Sequence, residues 1–190
     1  MKRAWLAVLL VLLGCNSRHK DSLPAPPPVV CQDLEFQGAL ATPADGDVFL
    51  HEESASCTTV DVGVMVNNLT GIWTVGFDLV FPPAVVRFDG ATVGPLLQQG
   101  SPTNPPALIV NSTSSEIQVS VSRLHPDPSV AAVGAVEVVH LRFSRVAAGS
   151  GVIDFDASSG STVAETILDD SGNPRPASFG PGHGGLVTAL

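Results

Sequence analysis

The sequence has no tyrosine and only two tryptophans and three cysteines in 190 residues. Trp5 lies in an apolar N-terminal run, so Trp73 is the only tryptophan in the rest of the chain. Sugar binding by stacking needs exposed Trp or Tyr rings, which combine an apolar face with a polar edge. A sugar-binding platform is therefore poorly supported by the composition.

Lysine is missing after Lys20. From Cys31 to Leu190 the chain has five Arg, no Lys and seventeen Asp or Glu, which gives a net charge of −12. Such a surface repels phosphate backbones, which excludes nucleic-acid binding. It also repels anionic lipid headgroups, so contact with a membrane would have to come from a lipid anchor and not from the folded part of the chain.

Catalytic motifs are also missing. The histidines beyond the N-terminal region are scattered along the chain, at His51, His125, His140 and His183, and the motif G-x-S-x-G is absent. Asp154 and Asp156 lie on the same side of one predicted strand, which is more typical of a solvated face than of a glycosidase pair. We therefore expect no enzymatic activity.

Candidate metal ligands are few. Two cysteines, Cys31 and Cys57, with no histidine at ligand spacing cannot complete a tetrahedral zinc shell. Asp169, Asp170 and Asn173 suggest calcium, but their spacing lacks the alternating oxygen ligands of an EF-hand loop. Glycine and asparagine tolerate positive φ, so this segment is more typical of a hairpin turn. We expect no metal and no other cofactor.

The first fifteen residues follow the order of an export signal. Met1 to Arg3 is positively charged, Ala4 to Leu13 is apolar, and Gly14 precedes Cys15. The apolar run is too short to span a bilayer as a helix, and the order indicates a secretory signal. The ending Leu-Leu-Gly-Cys resembles the lipobox of bacterial lipoproteins, which implies that residues 1–14 are removed and that Cys15 is lipidated. A plain signal peptide and a buried N-terminal helix are the alternatives.

The lipobox resemblance also implies a location. Asn16 follows the cysteine, whereas Asp at that position retains Gram-negative lipoproteins in the inner membrane, so the outer membrane of the cell envelope is favoured. Residues 15–30 then form the lipidated cysteine and a proline-rich tether, extended by Pro24 and Pro26 to Pro28. In an oxidising compartment Cys31 and Cys57 most simply form a disulfide. Two buried free thiols are the alternative.

Beyond Cys31 the sequence alternates apolar and polar residues, as strands do. The alternating runs are Val60–Val66, Trp73–Phe81, Ile117–Val121, Val139–Phe143 and Ile153–Phe155. This period places one set of side chains, including Trp73 and Phe77, in a core. Turn-forming residues such as Asn68 to Gly71 and Pro82-Pro83 separate the runs. The pattern predicts an all-β, antiparallel β-sandwich over residues 31–190.

Several segments match one known family in order and spacing. Residues 71–86 read GIWTVGFDLVFPPAVV, and residues 93–97, 135–146, 170–174 and 185–188 follow as a leucine turn, a long strand, a second turn and a closing strand. Together they resemble a cohesin domain over residues 48–190. The resemblance implies a nine-stranded jelly-roll sandwich, a fold that some carbohydrate-binding modules share.

The cohesin strand order would bring seven residues to one sheet face. They are Thr74, Gly76, Asp78, Asn111, Gln118, Ser120 and Ser122. The resemblance implies that this face docks a protein partner of the dockerin type, and the alternative is an ordinary solvated sheet face. Thr74 and Gly76 stand where dockerin-binding cohesins often carry Asn and Asp, and the family's Tyr-Asp-Pro appears here as Phe81-Pro82-Pro83.

The sequence therefore predicts a lipid-anchored, non-catalytic module that binds another protein at the bacterial cell envelope. Its partners would be that protein and the bilayer that holds the anchor. Two alternatives remain, namely a carbohydrate-binding module of the same jelly-roll fold, with a polysaccharide as its ligand, and an envelope lipoprotein with a purely structural role.

Overall fold

The computed structural model describes residues 32–156, 165–180 and 182–190. The strands are β1 (Leu34–Gly38), β2 (Val48–Ala55), β3 (Thr59–Ile72), β4 (Thr74–Val80), β5 (Val86–Val93), β6 (Ala107–Ser112), β7 (Glu116–Ser122), β8 (Val130–Arg145), β9 (Gly149–Phe155), β10 (Thr166–Leu168) and β11 (Gly185–Ala189). A single 3₁₀ turn, Leu96–Gln98, lies between β5 and β6. The predicted all-β class is confirmed, but the described residues form eleven strands and not nine. A strand as short as β10 carries too little alternation to be recognised in the sequence.

The strands form two antiparallel sheets, as predicted. The larger sheet has the order β1-β11-β9-β4-β7-β6, and the smaller sheet has the order β2-β3-β8-β5. β10 pairs with β4 at Thr74–Gly76, on the same side of β4 that β9 occupies at Leu79 and Val80. Strands β1 and β6 are therefore the two outer strands of the larger sheet.

The predicted inward phase of the strands is confirmed. The inward valines of β3, at positions 60, 62, 64 and 66, are fully buried, as are the inward residues of β7 and the central part of β8. Phe143 of β8 contacts both Phe81 and Phe88, with ring centroids 5.7 Å apart in each pair. All buried apolar core residues lie between Leu34 and Ala189, so this part of the chain carries its own hydrophobic core.

Trp73 does not join this core, which contradicts the sequence-based expectation. The backbone bends at Trp73, between β3 and β4, and the side chain is only half-buried. Its indole Nε1–H donates to the Asp127 carbonyl oxygen at 3.3 Å, and its ring lies against His125 with centroids 4.9 Å apart. Because the bend interrupts the strand, the inward phase of β4 does not extend back to Trp73.

The turn-forming residues from Asn68 to Gly71 predicted a break between two strands, and this prediction is wrong. Strand β3 runs through it, with φ of 44° at Asn68 and 74° at Gly71 and with shifts in its pairing to β8. The Asn68 side chain donates to Asp45 Oδ1 at 2.9 Å and accepts the Gly134 N–H at 2.6 Å. The left-handed residues are therefore absorbed as bulges within one long strand.

The predictions for the N-terminal region lie outside the described residues. These are the signal peptide 1–14, the lipidated Cys15, the tether to residue 30, and Cys31. Among the residues that are described, no helix is long and apolar enough to cross a bilayer. The Leu34 N–H donates to the Ser56 carbonyl oxygen at 2.8 Å, so β1 begins beside the residue that precedes Cys57. The disulfide between Cys31 and Cys57 stays a prediction.

Candidate functional site

The structure places all seven predicted residues on the outer face of the larger sheet. The cross-strand pairs are Thr74–Ser122, Gly76–Ser120 and Asp78–Gln118 between β4 and β7, and Asn111–Gln118 between β6 and β7. Residues two apart on a strand point to the same side, and the intervening residues of β4 and β7 are buried in the core. We call this set of seven residues the polar face.

Small hydroxyl side chains at one end of the polar face are bonded to one another. Thr74 Oγ1 and Ser122 Oγ lie 2.7 Å apart across the β4–β7 pair. Ser122 Oγ also donates to the Arg123 carbonyl oxygen at 2.8 Å. These bonds fix the hydroxyl orientations, and short side chains leave the sheet flat. A flat, rigid face loses little conformational entropy when another molecule packs on it.

An exposed isoleucine lies on the same side of the sheet and was not singled out in the sequence. Ile109 of β6 lies directly opposite Ser120 of β7, and 62% of its surface is exposed. Its neighbours Leu108 and Val110 pack against the core. A large apolar side chain surrounded by small polar residues is a suitable anchor for a partner protein.

The polar face is not accessible to solvent near Asp78. Asp78 is fully buried and Gly76 is also buried, so the expectation that both are exposed is wrong. Glu165, directly before β10, lies close to this point. Burial, first, and the charges of Asp156 and Asp78 raise the pKa of Glu165, which shows that these carboxyl groups lie together. Of the other five members, Asn111 is exposed and Thr74, Gln118, Ser120 and Ser122 are half-buried. Together with Ile109 they form the accessible part of this side of the sheet.

The loops beside Trp73 are held by Asp127. Its carboxylate accepts the backbone N–H groups of Thr103 at 2.8 Å and Asn104 at 3.2 Å. The hydrogen bond from Thr103, first, and that from Asn104 lower the pKa of Asp127. The indole donor of Trp73 is bonded to the Asp127 carbonyl and its ring lies against His125, so Trp73 packs these loops together.

The segment considered for calcium forms the predicted turn. Asp169 Oδ1 accepts the backbone N–H of Asn173 at 2.8 Å and of Ser171 at 3.0 Å. The bond from Asn173 is the main reason why the pKa of Asp169 is lowered. This carboxylate is thus used within its own turn. In the described part of the chain, no three His, Cys, Asp or Glu side chains converge in a way that could hold a metal ion.

A polar network lies on the outer face of the smaller sheet. Arg142 donates to both carboxylate oxygens of Asp61, at 2.7 and 3.0 Å. The two nitrogens of His140 lie 3.3 Å from Asp61 and 3.0 Å from Glu137. The hydrogen bond from Arg142 holds the pKa of Asp61 down to about 2. Both ring nitrogens of His140 face carboxylates, so this histidine is not arranged to activate a nucleophile.

We expect the replacement Asp61→Asn to destabilise the domain at pH 7 and to have a clearly smaller effect at pH 2.5. The folded pKa is depressed from 3.8 to about 2, so the stabilisation is present above about pH 4 and is lost as the pH falls toward 2. The Arg142 side chain is 57% exposed, and water screens the pair, so we expect a loss of about 1–2 kcal/mol at pH 7. Urea unfolding at pH 7 and pH 2.5 measures it.

The matched control for this measurement is Asp33→Asn, since Asp33 is an exposed residue just before β1. This variant should unfold like the wild type at both pH values. An equal loss of stability for Asp61→Asn at pH 7 and pH 2.5 would contradict the assigned role of its charge.

No protein-family model and no curated protein matches the chain. Solved structures do match, and three come from Acetivibrio cellulolyticus. A type II cohesin domain of its cellulosome aligns with a TM-score of 0.55 and 12% identity, covering 77% of this chain and 95% of that chain. The type II cohesin dyad of the adaptor scaffoldin ScaA aligns with a TM-score of 0.57 and 11% identity, covering 76% of this chain and 48% of that chain. A mutant type II cohesin–X–dockerin complex aligns with a TM-score of 0.51 and 13% identity, covering 77% of this chain and 91% of that chain.

The domain has the cohesin fold. The segments that suggested it form the expected strands and turn: β4, the 3₁₀ turn with Leu96 and Leu97 buried, the long strand β8 and the closing strand β11. The expectation of a cohesin-like sandwich is thereby confirmed. Within this cohesin fold, the polar face occupies neighbouring strands in the middle and at one edge of the larger sheet.

Proposed function

We propose that the chain is a non-catalytic protein-binding module at the bacterial cell envelope. In this proposal Cys15 carries a lipid anchor, residues 16–30 form the tether, and the cohesin-fold domain docks another protein. The docking surface consists of Ile109 and the five members of the polar face that are not buried, on β4, β7 and β6. The lipid anchor gives the location and the domain gives the specificity.

The position of Ile109 carries this proposal. Sixty-two per cent of this residue's surface is in water, although it lies on the edge strand β6 beside the small and polar residues of β7 and β4. Burying an isoleucine against a partner is worth roughly 1.5–3 kcal/mol, and the surrounding hydroxyl and amide groups can donate and accept hydrogen bonds at the rim. The surface thus has one apolar anchor on its β6 side and polar groups beside that anchor on β7 and β4.

The solved cohesin–X–dockerin complex supports the choice of a protein as the partner. The structure that aligns with this chain at a TM-score of 0.51 is described as part of that complex. We propose a dockerin-type protein as the first candidate. Thr74 and Gly76 supply no charge at the centre of the face, so the contact would depend on Ile109 and on neutral hydrogen bonds.

Capture of an envelope protein by immobilised domain tests the proposal. Residues 16–190 retain the whole hydrophobic core and would serve as bait for an envelope extract of the source bacterium. We expect the wild type to retain a protein that Ser120→Arg does not, because the long cationic side chain would stand on the flat face next to Ile109. The retained protein would be identified by mass spectrometry, purified and titrated against both baits.

The control bait is Val133→Arg, which places the same charge on an exposed residue of the smaller sheet. It should retain the same protein as the wild type. Equal retention by Ser120→Arg would exclude this face. Specific retention of a glycan, with no protein bound, would favour the carbohydrate-binding alternative.

A further inference from the structure

A second exposed apolar site lies on the outer face of the larger sheet, on the side away from β6. Val152 of β9 and Leu186 of β11 are directly opposite each other, and they are 54% and 43% exposed. Gln37 of β1 lies on the other side of Leu186. These three residues line a groove of about 330 Å³ together with Gly38, Ala39, Asp154 and Gly184. This volume is at the lower end of ligand sites in proteins.

The floor of this groove stays open because it is built from glycine. Gly184 lies between Ala39, whose N–H bonds to the Gly184 carbonyl oxygen, and Asp154, whose carboxylate accepts the Gly184 N–H at 3.1 Å. A Cβ atom on Gly184 would collide with the Ile153 carbonyl oxygen. No side chain can therefore cover the space between the two apolar walls and the carboxylate.

The carboxylate of Asp154 lies at the end of the groove, and one of its two oxygens already accepts hydrogen bonds from the backbone. Asp154 Oδ1 accepts the N–H of Gly184 and, at 2.9 Å, the N–H of Phe155. These bonds hold the carboxylate in place and leave Oδ2 to accept from a ligand. A single oxygen suits the point charge of an ammonium group better than the two-pronged fork of a guanidinium.

The charges around the groove are of one sign. The outward-facing residues of β1, β11, β9 and β4, all within the described part of the chain, include no arginine or lysine, and the charged ones are Glu35, Asp78 and Asp154. A second copy of this domain, with a net charge of −12 between Cys31 and Leu190, would be repelled from such a surface. A cationic partner would be attracted.

We infer that this groove binds a lysine side chain of the partner protein. The aliphatic part would lie between Val152 and Leu186, and the ammonium group would donate to Asp154. Lysine side chains commonly pack their methylene groups on apolar surface while their charge meets a polar group. The inference rests on the proposed function, because it assigns a second contact to the same partner, on the same face of the same sheet.

Methyl NMR of residues 16–190 with n-butylammonium chloride as the probe tests the site without a partner. We expect saturable shifts of the Val152 and Leu186 methyl signals, and shifts at least about threefold smaller with 1-butanol, which has the same alkyl chain and no charge. Sodium chloride is added to keep the ionic strength equal in both titrations. Shifts of equal size with the two probes, or no saturable shift, would overturn the inference.

Two variants localise the binding. Asp154→Asn keeps an oxygen for the Gly184 and Phe155 N–H groups and removes the charge, so butylammonium should then bind no better than butanol. Leu186→Thr, which matches the outward Thr188 of the same strand, should weaken both probes. A butylammonium response that survives Asp154→Asn unchanged would refute the role of the carboxylate.

A third variant separates this inference from the proposed function. Ile109→Asp alters the docking surface on β6 and leaves the groove intact, so it should bind butylammonium like the wild type. If no protein partner docks at Ile109 and butylammonium still binds in the groove, the proposed function fails alone. If the partner docks and butylammonium does not bind, the groove assignment fails alone.

Discussion

Ile109→Asp is expected to weaken binding of the partner protein by a factor of about 30 or more. That factor corresponds to roughly 2 kcal/mol, the usual size of an interface hot spot. The change replaces the one large exposed apolar side chain of the docking surface with a charge, which would have to be desolvated against the partner. Isothermal titration with the purified partner measures it.

The matched control is Val133→Asp. Among the large apolar residues in the described part of the chain, Val133 is the most exposed, at 86%, and it lies in β8 of the smaller sheet. This variant adds the same charge elsewhere and should bind the partner with wild-type affinity. Both variants should unfold at the wild-type temperature, because neither side chain is in the core. Wild-type affinity of Ile109→Asp would remove Ile109 from the docking surface.

Phe143→Ala is expected to lower the free energy of unfolding by about 3–5 kcal/mol, as deletion of a buried aromatic ring usually does. The ring is fully buried and touches Phe81, which follows β4 of the larger sheet, and Phe88 in β5 of the smaller one. Its loss would leave a cavity between the sheets that neither neighbour can fill without leaving its own site. For a domain of this size the midpoint of thermal unfolding should fall by about 6–20 °C.

Phe143→Leu and Val133→Ala are the control variants against which the loss of stability in Phe143→Ala is compared. Leucine fills much of the same volume, so its cost should lie between those of the wild type and the alanine variant. Removing methyl groups from the exposed Val133 should change stability by less than about 0.5 kcal/mol. An alanine variant at position 143 that is within 1 kcal/mol of the wild type would show that the two sheets do not meet around this ring.

The sequence was most informative where a strand is buried on one side only. In β7, and within the runs Val60–Val66 of β3 and Ile153–Phe155 of β9, every second residue is apolar, and this local alternation is sufficient to identify the inward side. The run Ala107-Leu108-Ile109-Val110 is apolar throughout, so its phase cannot be read locally. Only the pairing with β7, which places Ile109 opposite Ser120, shows which side chains face water. This is why Ile109, the apolar residue of the docking surface, was missed.

Burial that depends on segments distant in the sequence could not be predicted from local alternation. Asp78 has the phase of an exposed residue in β4, and by alternation it should be in water. It is fully buried, beside the part of β4 that pairs with β10, a strand from much later in the sequence. The prediction for Trp73 was wrong for a local reason. The backbone bends at this residue, so the alternation of inward and outward side chains in β4 does not extend to it.

The order of strands in the larger sheet bears on how the molecule would stand on a surface. The described chain enters the sheet at β1, and Ile109 lies in β6 at the other edge, five strand spacings away. At about 4.8 Å for each spacing, the two edges are roughly 24 Å apart. An attachment through the residues before β1 would therefore join the domain at the edge of the sheet that is opposite Ile109.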